Sequence, residues 1–302
     1  MAVTSYKASA PGNVMVLGEY AVTQGHPALV WAINKHINIT LLPRNDRVVR
    51  IQSDLGAYQT SLEMLTSKAP FEFVLAAIQQ LQPQLTTGFD LQITSTIEAG
   101  IGLSSSAAVT VATLKVVYAY LDLAISNDTL LETAIAVVRA VQGKGSGADV
   151  AASIYGGLIY YQAGKLVKTF DTIPPFFILY SGIKNKTDEA LQQFNPTTSD
   201  VILNAMAQLV IQAAQAIDDH DWHTLGALLA KGNHCLQCLN VNTPLLDDLV
   251  TTCEQQATVF GAKISGSGFG DCVIGLGTLP HDLYPSDQDS PRQIALQEVL
   301  TS

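Results

Sequence analysis

Between an alternating segment and a long unbroken apolar run, the chain carries Gly100-Ile101-Gly102-Leu103-Ser104-Ser105-Ser106-Ala107-Ala108. Upstream, Phe89-Asp90-Leu91-Gln92-Ile93-Thr94-Ser95 alternates at period two, which predicts a half-buried strand. Downstream, 107–121 is rich in Ala, Val and Leu with no glycine or proline, which predicts a helix. The glycines and serines therefore occupy a strand-to-helix turn, and the chain must combine sheet and helix around it. Glycine lets backbone approach a ligand without a Cβ in the way. The unpaired N–H groups of the helix's first turn, with the positive end of its dipole behind them, face an anion there. The expected ligand is a phosphate chain, with serine hydroxyls as neutral donors and one of them available to a magnesium ion bridging the phosphates. A plain Gly/Ser turn with an ordinary serine N-cap is the bland alternative.

A chain of 302 residues can bury a large core as one big domain or two intimate ones. Hydrophobic content of 48% and charged content of 14% exclude a disordered chain. No apolar run crosses a bilayer's length without polar interruption, and the opening Met1-Ala2-Val3-Thr4-Ser5-Tyr6-Lys7 lacks the basic and apolar regions of a secretion signal. A soluble, cytoplasmic protein is expected. The net charge of −10 argues against nucleic-acid or anionic-membrane partners and leaves a small-molecule substrate. Four cysteines suit a reducing compartment. Cys235 and Cys238 beside His234 invite a zinc reading, but without a second such pair, one buried helix face is the simpler account.

Taken in order, the chain predicts a strand-like opening, a turn at Ala10-Pro11-Gly12-Asn13 and a short apolar run over 14–17. A second turn at Gln24-Gly25-His26-Pro27 leads to strand pieces at 28–33 and 37–40, a strand at 47–52 and a helix at 71–81. A helix from Asn127-Asp128 runs to Gly143. Gly143-Lys144-Gly145-Ser146-Gly147-Ala148-Asp149 follows, where Asp149 is either a functional carboxylate or the N-cap of a helix starting at Val150. Strands are expected at 158–162 and 176–180, then a polar turn over 181–187 opening a helix. Helices at 200–217, 222–229 and 245–258 follow, with strands at 262–265 and 273–276 around Gly266-Ser267-Gly268-Phe269-Gly270-Asp271 and a last short helix.

Three glycine-rich stretches in this order resemble the GHMP kinase family of small-molecule kinases. Its first motif matches Ala10-Pro11-Gly12-Asn13-Val14-Met15-Val16-Leu17-Gly18-Glu19-Tyr20-Ala21-Val22. Its second matches 98–108, and its third matches Lys263-Ile264-Ser265-Gly266-Ser267-Gly268-Phe269-Gly270-Asp271-Cys272. The likeness runs furthest to the kinases of the mevalonate pathway. It implies an α+β, two-domain fold, 1–170 and 171–302, with the active site in the interdomain cleft. It also implies ATP and Mg2+, with the hydroxyl of mevalonate as acceptor. Phosphomevalonate, a sugar or an amino alcohol are the alternative acceptors, and a non-catalytic nucleotide sensor is the rival outside the class. A homodimer is compatible with the resemblance.

Carried over by position, the resemblance gives Asp149 the task of orienting or deprotonating the acceptor hydroxyl. Gly100, Gly102, Leu103, Ser104, Ser105, Ser106 and Ala107 would hold ATP, and Ser106 the metal. Asn13, Glu19, Tyr20, His26, Lys184, Thr187, Gly266, Ser267 and Gly268 would form the acceptor side. There are departures. Asn13 stands where many relatives have a lysine, for which Lys7, Lys184 or Lys186 are substitutes. Glu98 replaces a proline, Ser104 a glycine, and Val138 a magnesium-binding glutamate.

Overall fold

A computed structural model of the chain describes residues 4–98, 100–183, 200–280, 283–284 and 291–296. Two long antiparallel strands come first, β1 (Tyr6–Leu17) and β2 (Pro27–Pro43), paired from Tyr6 opposite Leu41 to Leu17 opposite Leu29. The turn expected at 10–13 is therefore strand. The break in pattern there is a register shift between Pro11 and Asn13, where a bulge accommodates a proline without an N–H. The two pieces expected on either side of 34–36 are likewise one strand.

β3 (Val48–Ser53) and β4 (Gly56–Ser61) form a hairpin, followed by α1 (Glu72–Leu81), β5 (Phe89–Ser95), α2 (Ser105–Tyr120), α3 (Asn127–Gln142), α4 (Ala148–Tyr155), β6 (Leu158–Gln162) and β7 (Lys165–Phe170). The first sheet has the order β4-β3-β5-β2-β6-β7, with β1 also on β2. β5 takes the C-terminal half of β2 and β6 its N-terminal half. β4 and β7 were not legible in the sequence because they are the sheet's edges: mostly exposed, they show almost no apolar alternation.

After β8 (Phe176–Tyr180) come α5 (Asp200–Asp218), α6 (Trp222–Cys238), α7 (Pro244–Glu254), β9 (Val259–Ser265), β10 (Cys272–Gly277) and β11 (Arg292–Gln293). The second sheet is antiparallel in the order β11-β8-β10-β9. α6 and α7 pack on its edge strand β9, and Asn233 of α6 accepts the Ile264 N–H at 3.2 Å. α5 is long and apolar enough by length and composition to cross a membrane, but it packs on α6 and β2 and buries Leu203, Met206, Val210 and Ile217. The helix expected to open after 181–187 lies outside the described residues; where the last short helix was expected, after Pro291, the described residues form the strand β11 and an irregular stretch to 296 instead.

α2 packs on β1 and β2 of the first sheet and against α1, α3 and α4. Apolar side chains such as Val111, Leu114, Val116 and Val117 are fully buried, each stabilising the fold by roughly 1.5–3 kcal/mol. Its two buried threonines are satisfied inside the helix: Thr110 donates to the Ser106 carbonyl at 2.8 Å and Thr113 to that of Val109 at 2.7 Å. This packing fixes the N-terminus of α2 and the glycine-rich loop leading into it.

Candidate active site

The loop before α2 is wound through left-handed backbone at Gly100, Gly102 and Ser104, with φ values of 80°, 78° and 55°. Ser104 holds the N-cap position of α2 but makes no side-chain cap bond, so the N–H groups of the first turn stay open. That removes the ordinary serine cap as an account of the loop. Gly102 must be glycine for two reasons. Its φ is left-handed, and a Cβ there would stand 2.7 Å from the Asp271 Cβ. The close neighbour is thus the third glycine-rich turn.

Asp149 lies in the first turn of α4, whose N-cap is Gly147, and it makes no cap bond. The N-cap reading of Asp149 is therefore wrong. Its side chain is open to the cleft but ringed by protein, and the loss of surrounding water pushes its pKa up; a hydrogen bond with the Ser104 side chain opposes that shift. Asn13, fully buried, holds the turn from behind. Its Nδ2 donates to the Asp149 carbonyl at 2.9 Å and to Ser153 Oγ at 3.1 Å, while the Ser153 hydroxyl donates to the Pro11 carbonyl at 2.8 Å. Where the resemblance leads one to expect a lysine, this chain has a buried amide that pins the backbone of Asp149.

Across the cleft, Lys263 Nζ donates to Glu19 Oε1, with both side chains almost fully buried, and to the Ile264 carbonyl at 2.5 Å. Burial lowers the Lys263 pKa and the Glu19 carboxylate opposes this. Glu19 Oε2 and Ser267 Oγ are buried with no hydrogen-bond partner, and both residues line the cleft. Orphaned polar atoms of this kind call for a ligand. Tyr20 donates its hydroxyl to the Ser267 carbonyl at 2.5 Å; burial and then Glu19 raise its pKa, keeping it a neutral donor.

These residues surround a cavity of about 240 Å³, lined by Glu19, Tyr20, Gly102, Ser104, Ser106, Ala107, Asp149, Gly266 and Ser267 among others. A second cavity, of about 480 Å³, is lined by Ile37, Leu55, Phe71, Phe73, Ile97, Ser105 and Val109, and Ser106 lines it as well. The two cavities thus meet at the N-terminus of α2. Of the expected site residues, Asn13 is buried behind the cleft. His26 and Gly268 are not among the residues lining it, nor are Gly100 and Leu103, which shape the loop. Lys7 is exposed on β1 and also outside the lining. Lys184, Lys186 and Thr187 lie outside the described residues. Asp271 and Lys144 line the cleft without having been assigned a role from the sequence. Both stood in the glycine-rich stretches, where flanking small residues were the available signal.

Serine hydroxyls and carboxylates are the hard oxygen donors magnesium prefers. Among the described residues no group of three or more His, Cys, Asp or Glu is placed to hold a metal unaided, which also removes the zinc reading of His234, Cys235 and Cys238. The donor set fits an ion carried largely by phosphate oxygens and water.

Comparison with known proteins gives the class. The family model for the GHMP kinases N terminal domain matches residues 72–157, and that for the GHMP kinases C terminal matches 213–297. A mevalonate kinase of Thermococcus sibiricus is 31% identical, with 89% of this chain and 88% of the relative covered. The crystal structure of the Methanococcus jannaschii mevalonate kinase superposes with a TM-score of 0.79 at 25% identity, covering 91% of each chain. The Streptococcus pneumoniae phosphomevalonate kinase in complex with phosphomevalonate and AMPPNP also reaches 0.79, at 21% identity over 91% of this chain and 93% of that one, a likeness of fold. The fold, with a glycine-rich loop at a helix N-terminus beside a cleft carboxylate, is that of a small-molecule kinase. The chain belongs to the GHMP kinase family, with ATP as its phosphate donor.

Proposed function

We propose that the protein phosphorylates the hydroxyl of mevalonate, working in the cytoplasm. The observation carrying this reading is the meeting of the two cavities at Ser106, with Asp149 on the wall of the smaller one. In this assignment the larger, more apolar cavity takes the nucleoside and the smaller takes the acceptor. The open N–H groups of α2 and the Ser104 and Ser106 hydroxyls hold the phosphates between them. Residues 1–170 then act as the nucleotide-holding domain, and 171–302 close the cleft from the other side.

Phosphoryl transfer depends on alignment and charge compensation more than on covalent work by the protein. Asp149 orients the hydroxyl and accepts its proton, and its raised pKa brings its basicity toward the working range. Glu19 Oε2 and Ser267 Oγ are placed to hydrogen-bond the rest of the acceptor. Magnesium, held by Ser106 with Asp149 nearby, would supply charge neutralisation of the phosphates. Asp149 and Asp271 line the cleft together with Glu19, whose charge the buried Lys263 offsets, and Lys144 is the one lysine among the described lining residues. Such a wall disfavours an acceptor that already bears phosphate, which supports mevalonate over phosphomevalonate. A coupled ADP-release assay across mevalonate, phosphomevalonate, galactose and homoserine tests the reading. Mevalonate should give the highest kcat/KM; a higher value on any of the others would reassign the acceptor.

A further inference from the structure

Asp149 and Asp271 make the acceptor cleft wall negative, while Glu19 is paired with the buried Lys263, and the reaction proposed above brings a triphosphate into that cleft. Among the described residues lining the cleft, Lys144 is the sole lysine or arginine. It sits on the turn that joins α3 to α4, and that turn is pinned at several points. The Gly143 N–H donates to the Arg139 carbonyl at 2.8 Å, Arg139 Nε to the Gly145 carbonyl at 3.0 Å, and the buried Tyr161 hydroxyl to the Ser146 carbonyl at 2.6 Å. Gly147 is seated so closely on α3 that a Cβ would lie 2.4 Å from Ile135 Cδ1. Five residues after Lys144 the same turn presents Asp149, so one rigid piece of backbone carries both groups into one cleft.

We propose that Lys144 is a further catalytic residue, whose ammonium contacts the transferred phosphoryl group on the side away from the α2 N–H donors. This rests on the kinase reading. As the acceptor oxygen bonds to the terminal phosphorus, the bond to the β,γ-bridging oxygen breaks and its electron pair leaves with ADP. The hydroxyl proton passes to Asp149. The Lys144 ammonium offsets the charge on the phosphoryl oxygens in flight. Asn13 is buried and neutral, and the pinned turn is what brings a positive charge to the described cleft wall.

The test compares wild type, Lys144→Gln and Lys144→Arg by single-turnover transfer from ATP to mevalonate. It adds binding of a non-hydrolysable ATP analogue by calorimetry and a urea melt of each variant. Lys144→Gln should slow transfer by at least about tenfold and weaken analogue binding by less. Lys144→Arg should keep most of the rate, and both variants should melt with wild type because the side chain is exposed. A Gln variant within twofold of wild type overturns the proposal. So does an Arg variant as slow as the Gln variant with an unchanged melt, since charge would then not be what matters. If wild type itself transfers phosphate to no alcohol, the kinase reading fails in that arm, separately from any comparison between variants, and takes this proposal with it.

Discussion

Ser104 joins two constraints at one residue. Its left-handed backbone, where the resemblance expects glycine, costs on the order of 1–2 kcal/mol for a side chain-bearing residue. Its side chain meanwhile restrains the pKa of Asp149 against the upward pull of burial. Removing the hydroxyl with Ser104→Ala takes away the hydrogen bond that lowers that pKa, so the Asp149 pKa should rise further. A general base works when deprotonated, so the acid limb of the pH–kcat/KM profile should move to higher pH; an unchanged or lowered limb would uncouple Ser104 from the base. Asp149 itself was legible as a candidate, as an isolated acid among small residues. Its choice between cap and base was not, because that depends on which residue precedes the helix in space. Asn13 was legible only as a departure: nothing in its neighbours announces a side chain reaching Ser153 across 140 positions of chain.

At the scale of elements, the phosphate loop and the β9–β10 turn are fitted to each other. Gly102 lies against Asp271, and the Cys272 thiol donates to the Ile101 carbonyl at 3.0 Å. A Gly102→Ala change adds a clash and a left-handed penalty, each costing roughly 1–2 kcal/mol, so ATP affinity by calorimetry should fall at least about tenfold with the fold retained. Asp271→Gly in that background removes the side chain the new Cβ would strike, and should restore part of the affinity. Absence of any restoration would mean that the two turns do not communicate through this contact. The loop itself was readable because a strand pattern, a glycine run and a helix pattern abut in sequence. The partner turn was readable as a motif but not as a neighbour. Edge strands β4 and β7 were lost because half-exposed edges lack the alternation that burial imposes.

In the whole molecule, the two sheets are joined at the cleft by pairs no local reading could match. Lys263 and Glu19 are 244 residues apart, the Ser265 hydroxyl donates to the Met15 carbonyl at 2.8 Å, and Arg292 pairs with Glu98 beside the phosphate loop while lying 5.9 Å above the Tyr180 ring. Glu98, a departure from the family pattern, thus gains a cross-sheet partner. Breaking the buried pair with Lys263→Met leaves Glu19 uncompensated and should cost about 3–5 kcal/mol in denaturant unfolding; a loss below about 1 kcal/mol would mean that water reaches the pair. All these ties serve one claim, that the cleft aligns an alcohol between Asp149 and the ATP held at the N-terminus of α2. Its most direct test is single-turnover transfer to mevalonate by Asp149→Asn at saturating substrates, with ATP affinity and a urea melt measured alongside. Because the Asp149 side chain is open to the cleft and makes no cap bond, Asp149→Asn should be about as stable as wild type at pH 7. The account predicts transfer slowed by at least about a hundredfold, near-normal ATP binding and undiminished stability. Near-normal transfer by this variant would contradict it.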